Sequence, residues 1–177
     1  MKPWIQSLRP AVSILAGLLT LASFKVAGLS SPSWLIPGAV IAIFSAIMVH
    51  NDWRDRLQDV KKGKTLAATQ LKKFLSLLIS LWIVAVILTA IVWQQNIRFG
   101  ILLALMILAG VIYSETRQIP MVPAILVAIA SASPALFPVF IIDNSVRLWL
   151  FFSAVALVIF SREIIKDLID LGVESVV

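Results

Sequence analysis

The sequence contains no cysteine and a single histidine. Disulfides and thiolate metal centres are thereby excluded, and a zinc site has almost nothing to be built from. Charge is scarce too: 14% of the residues are Asp, Glu, Lys or Arg, and only 9 of them are acidic. A metal held by this chain therefore relies on carboxylates, which select a hard cation such as Mg2+. Low-complexity tracts and internal boundaries are missing as well, so residues 1–177 read as one domain. Apolar surface is what the chain has in excess, with 60% hydrophobic residues and a mean hydropathy of +1.01. A soluble domain of 177 residues could not hide that much, and the bilayer is the expected solvent. The net charge of +6 is then an orientation signal and a match to anionic lipid, with no nucleic acid implied.

Six apolar segments follow one another, approximately Ala11–Leu29, Trp34–Val49, Phe74–Trp93, Phe99–Tyr113, Met121–Ile142 and Leu148–Phe160. Backbone groups in lipid must be paired within the chain, and continuous apolar runs without alternation mean helices, not a barrel. The expected fold is all-α, a polytopic transmembrane helical bundle of about six spans. Pro37, Pro123, Pro134 and Pro138 predict kinks or interrupted turns. With the N-terminus inside, 12 of the 15 Lys and Arg residues fall on the cytoplasmic side, leaving Lys25, Arg98 and Arg147 outside. The positive-inside rule thus places both termini and the polar Asn51–Lys73 loop in the cytoplasm.

That loop opens with "NDWRDRLQD". Asn51, Asp52, Asp55 and Asp59 recur at helical spacing, within an arc of about 100°. Like charges at this spacing repel, and a bound divalent cation would reverse the sign of that interaction. The alternative is an ordinary charged loop in which Arg54 and Arg56 neutralise the acids. A second stripe follows the last apolar segment, in "SREIIKDLIDLGVE": Glu163, Asp167, Asp170 and Glu174 fall within about 60° on a helix. An amphipathic interfacial helix would explain its apolar face, though not so narrow a row of acids. Two such stripes at cytoplasmic helix ends are suited to hold magnesium bridging to a diphosphate. Tyr113 and Arg117 are four residues apart in "IYSETR", a spacing that lets a phenol and a guanidinium meet one phosphate. Read alone, they are an interfacial aromatic beside a positive-inside arginine. Lys61, Lys62 and Lys64 either neutralise a diphosphate or face lipid headgroups, and His50 is read as a helix-end residue without chemistry.

On these residues the chain resembles the UbiA superfamily of intramembrane prenyltransferases. The NDxxDxxxD run matches that family's aspartate-rich signature, and "REIIKDLIDLGVE" is similar to its second signature. Tyr113 and Arg117 stand where the family has a YxxxK pair, and "LRPAVSILAG" looks like its opening RPxN stretch. The resemblance implies a helical bundle around a cavity and Mg2+-dependent transfer of a polyprenyl group from an allylic prenyl diphosphate to a small acceptor. Asn51, Asp52, Asp55, Asp59, Asp167, Asp170 and Glu174 would bind the metal, with the five aspartates as the catalytic set. Asn51, Tyr113, Arg117, Lys61, Lys62 and Arg162 would contact substrate. The implied acceptor is an aromatic quinone precursor, the family's commonest use; a glycerophosphate ether-lipid acceptor is the alternative. The implied setting is the plasma membrane of a prokaryote, with the acidic motifs cytoplasmic.

Departures from the family pattern define the rival reading. Val12 replaces the asparagine of RPxN, and Glu174 replaces the last aspartate of the second motif. Arginine stands for lysine at Arg117, and the region after Asp59 reads "VKKGKTLAATQ" where an RPxPxG-like run is usual. The chain stops three residues after Glu174, where the family continues with further spanning helices. A partner chain or oligomer would then complete the bundle, or a lipid-open wall would admit the prenyl tail. The rival is a truncated, non-catalytic protein that binds isoprenoid lipid or scaffolds a partner. A channel or transporter fits poorly, because its polar residues should lie mid-span.

Overall fold

The computed structural model describes residues 7–61, 66–116, 121–142 and 146–174, with the side chains of 58, 61, 167 and 169–174 outside the description. Within it run α1 (Pro10–Val26), α2 (Leu35–Arg54), α3 (Arg56–Lys61), α4 (Leu66–Thr69), α5 (Leu71–Gln95), α6 (Ile97–Thr116), α7 (Val122–Ala132) and α8 (Val146–Glu174). A 3-10 helix at Ser133–Phe140 extends α7, and no strand occurs among the described residues. All six apolar segments became helical. Five spans are long and apolar enough to cross a membrane: α2, α5, α6, α7 with its 3-10 extension, and α8. The sixth, α1, has 17 residues, about 25 Å at the α-helical rise, and reaches across only with its flanks.

α2 is the axis of the bundle. It packs against α1, α5 and α6, and 61% of its apolar window is buried. Its sequence is apolar all round, as an internal helix requires. α5 is the opposite case. Phe74, Leu78, Ala85, Thr89 and Val92 face inward, whereas Leu75, Ile79, Ile83 and Ile87 form an outer stripe at intervals of four residues. α8 lies against α7 and the 3-10 helix, and 11% of its window is buried. Small residues set the close approaches, the usual device where lipid is as apolar as the helix faces. Gly17 of α1 lies under Ile41, and Gly110 of α6 lies under Ile47.

The proline expectation needs correction at two positions. Pro37 and Pro123 stand in the first turns of α2 and α7. The first-turn N–H groups have no intrahelical acceptor, so proline costs nothing there and no kink results. Pro134 and Pro138 do change the helix, which continues from Ser133 as 3-10. Each removes the N–H that would bond the carbonyl four residues back, at Ala130 and Pro134. The Ala130 carbonyl receives a hydroxyl instead. Ser133 Oγ donates to Ala130 at 2.7 Å, and Ser23 Oγ on α1 lies 3.4 Å from the Pro134 carbonyl while donating to Thr20 at 2.7 Å. In a bilayer interior no water would replace these donors.

The α5–α6 connection is a single extended residue, Asn96. Its Oδ1 accepts from the backbone N–H of Arg98 at 3.0 Å and of Phe99 at 3.3 Å, which caps α6. Gly100 completes the tight turn, since a Cβ there would stand 2.6 Å from the Trp93 Cα.

Candidate functional site

Two long-range ion pairs gather the helix ends that carry the first acidic motif. Arg9, at the start of α1, donates to Asp52 Oδ1 at 3.0 Å. Arg54, closing α2, reaches Glu115 at the end of α6 at 2.5 Å. The N-terminal end of α1 and the C-terminal ends of α2 and α6 therefore share one side of the bundle. Val26, Ala27, Arg147 and Leu148 meet around a cleft at the other side, so α8 starts there and runs back toward the acidic end.

The four polar residues of the first motif do not ride on one unbroken helix. α2 ends at Arg54, Asp55 is a turn residue, and α3 restarts at Arg56. The helical pitch still passes through the break. Asp55 N–H donates to the Asn51 carbonyl at 3.0 Å, and Asp59 N–H donates to the Asp55 carbonyl at 2.8 Å. The spacing thus keeps its geometric meaning: Asn51 Nδ2 donates to Asp55 Oδ2 at 3.3 Å, the four-residue contact the motif predicts. Asn51 is buried, and Asp52, Asp55 and Asp59 are half-buried.

The arginines of this segment are directed elsewhere than the charged-loop alternative required. Arg54 is spent on Glu115. Arg56 lies over the Trp53 ring, 4.4 Å from its centroid, and donates to the Trp53 carbonyl at 2.9 Å. Trp53 in turn stacks on Phe74 of α5, with centroids 6.4 Å apart and planes 16° from parallel. Arg56 and Trp53 thereby anchor the α2–α3 break to α5. Among the described residues it is Arg9, from the first helix, that pairs with Asp52.

Tyr113 is half-buried on α6 and packs against the main apolar core. Arg117 and Lys62 lie outside the described residues, as do the side chains of Lys61, Asp167, Asp170 and Glu174. The first acid of the second stripe, Glu163, is buried and takes ion pairs from Arg162 at 3.3 Å and from Lys166. His50, next to Asn51, meets Trp82 edge-on at 5.9 Å, and its buried Nδ1 has no hydrogen-bond partner among the described residues. A cleft of about 340 Å³ opens at the opposite end of the bundle, between the Ser30–Ser33 segment, Val92, Asn96 and Phe99. Among the described residues its lining has no carboxylate, and it stands apart from the acidic motif.

Sequence reading missed Arg9 and Glu115 as parts of this end of the bundle. Arg9 lies in the "LRP" stretch, and its partner is 43 positions away. Only the shared membrane side of the two residues hinted that they meet.

Among the described residues, no three acidic or imidazole side chains converge on one point. The donor set is nevertheless oxygen-only, with carboxylates beside a side-chain amide, and this fits magnesium in its common mode. That mode needs one or two protein carboxylates, the rest of the shell coming from water and substrate phosphates. Asp52 already carries a cationic partner, so positive charge at this position is what the carboxylate accommodates.

Comparison with protein-family models matches residues 11–172 to the UbiA prenyltransferase family. Comparisons with curated proteins and with solved structures find no match. A match over nearly the whole chain, on an all-helical bundle whose aspartate motif closes a spanning helix, settles the affiliation: this integral membrane chain belongs to the UbiA prenyltransferase family.

Proposed function

We propose that residues 1–177 form one domain that transfers a polyprenyl group from an allylic diphosphate to an aromatic quinone precursor, with magnesium bound at the two acidic motifs. The observation carrying this reading is the Asn51–Asp55 contact at the end of α2, beside the Arg9–Asp52 pair, within a chain of prenyltransferase affiliation. Asn51, Asp52, Asp55 and Asp59 would hold the metal from one side, and Asp167, Asp170 and Glu174 from the other. Bound there, magnesium would supply positive charge to the diphosphate as it departs.

The chain's own residues account for the remainder. In the transfer the allylic C–O bond breaks, and its electron pair leaves with the diphosphate. The acceptor carbon forms the new C–C bond and then loses its proton. Tyr113, Arg117, Lys61, Lys62 and Arg162 would bind and orient the diphosphate oxygens through charge-assisted hydrogen bonds. The apolar bundle excludes water from the developing allylic cation, which water would otherwise capture. The aromatic acceptor rests on the family's commonest use. Orientation follows the basic residues, with both termini and the acidic end cytoplasmic.

The test is turnover by purified protein with prenyl diphosphates, aromatic acceptors and magnesium, scored as diphosphate release and prenylated product. Asp55→Ala and Asp170→Ala should each lower the rate by at least about 100-fold, the scale of removing one preorganised electrostatic group. No magnesium-dependent turnover with any donor and acceptor would refute the enzyme reading. Magnesium-dependent donor binding without turnover would convert it to a binding protein.

A further inference from the structure

Arg9 caps α1 with φ 43° and ψ 56°, a left-handed backbone that residues other than glycine seldom adopt. It does so immediately before Pro10, and proline pushes the preceding residue toward extended backbone. Such a conformation persists only where surrounding contacts hold it. The Arg9 carbonyl accepts from the Val12 and Ser13 N–H groups at 2.9 and 3.3 Å, and the guanidinium makes two further contacts: Nη2 donates to Asp52 Oδ1 at 3.0 Å, and Nη1 lies 3.7 Å from Met48 Sδ. The Asp52 side chain is 14% exposed and that of Arg9 is 40% exposed. A carboxylate so far withdrawn from water needs positive charge beside it, and among the described residues Arg9 supplies it.

We propose that Arg9 is a placeholder for the divalent cation at Asp52. Its guanidinium holds the carboxylate in position before loading, and yields it when a metal–diphosphate arrives. The inference rests on the metal–diphosphate reading of the first motif. Two cations compete for one carboxylate, so the metal binds more weakly than the carboxylates alone would allow. On the way out the competition runs in reverse. After transfer, Arg9 returning to Asp52 helps expel metal and diphosphate, which a deep carboxylate cluster would otherwise retain.

The experiment measures Mn2+ binding to detergent-purified full chain in the presence of inorganic diphosphate. Free Mn2+ is read by its paramagnetic resonance signal against a protein-free blank, so no turnover is needed. Arg9→Gln removes the competing charge. Arg9→Gly removes it while suiting the left-handed backbone, so that the start of α1 keeps its shape. Both should bind Mn2+ roughly threefold to tenfold more tightly than the unaltered chain, the range for a pair between surface and interior. Arg9→Lys should stay near the unaltered chain. Arg54→Gln, which removes a like charge from the same helix end, controls for a general field effect and should change affinity by less than about twofold.

Unchanged or weaker Mn2+ binding in both Arg9→Gln and Arg9→Gly would overturn the placeholder. So would an equal gain in Arg54→Gln, which would make the effect one of net charge. An unaltered chain that binds no Mn2+ with diphosphate would remove the metal reading itself. Binding by that chain without a gain in the Arg9 variants removes only the role of Arg9.

Discussion

Gly110 offers the sharpest test of how the bundle holds its acidic end together. It is buried on α6, and a Cβ built there would overlap Cγ1 and Cδ1 of Ile47 on α2. Two effects of opposite sign act on Gly110→Ala. Alanine is the better helix former by about 1 kcal/mol. Overpacking at a closed contact costs about 1–3 kcal/mol, so the net change should be a loss of up to about 2 kcal/mol. Ile47→Ala alone deletes the obstructing atoms and leaves a cavity, costing about 2–5 kcal/mol. In that background the overlap is gone while the helix preference remains, and Gly110→Ala should now stabilise by about 1 kcal/mol. The sign reversal is the signature. It would be followed as the midpoint of thermal unfolding in detergent at fixed protein concentration, using tryptophan emission. If alanine raises the midpoint equally in both backgrounds, α2 and α6 do not touch at this level, and the placement of Glu115 beside Arg54 loses its support.

Other expectations follow from buried polar groups. Thr89 on α5 is 7% exposed, and its buried hydroxyl has no hydrogen-bond partner among the described residues. Thr89→Val keeps the shape and should raise stability by about 1 kcal/mol; a lower midpoint would show that the hydroxyl is satisfied. Ser133→Ala removes the donor to the Ala130 carbonyl and should cost about 1–2 kcal/mol, since that carbonyl lost its backbone partner to Pro134. An unchanged midpoint would mean the carbonyl has another donor. Arg54→Gln should shift stability by under about 1 kcal/mol, because both partners of its ion pair are nearly half exposed, at 48% and 46%. A larger loss would make that pair a main fastening of α2 to α6.

The helices were legible because bilayer solvent imposes one rule throughout: backbone groups pair locally, so an apolar run is a helix wherever it falls. What composition could not show is which helix is internal. α2 and α5 are both apolar, yet 61% of the α2 window is buried against 22% for α5. Against lipid tails, an inward and an outward leucine face similar surroundings, so hydrophobicity does not report facing. The better signal is side-chain size. Gly17, Gly110 and the inward Ala124, Ala128 and Ala132 mark the contacts, while branched aliphatics collect on the lipid side. The prolines divide in the same way. Their effect depends on whether the lost N–H had an acceptor, which position in the helix decides and residue type does not.

The candidate site was legible where its geometry is local. Asn51 and Asp55 are four residues apart, and helical pitch alone brings them into contact across the break at the end of α2. Arg9 was not legible, because no periodicity links positions 43 apart and the pair exists only once α1 packs against α2. The sequence-level alternative had Arg54 and Arg56 beside the aspartates because they are neighbours along the chain. Folding sends Arg54 to Glu115 and Arg56 onto Trp53, and brings the Asp52 cation from the first helix instead. That exchange has a functional consequence. An arginine fixed on the same helix turn would move with the aspartates and could not yield to a ligand without unwinding that turn. One delivered by a separate helix start, across a single ion pair, has somewhere to go.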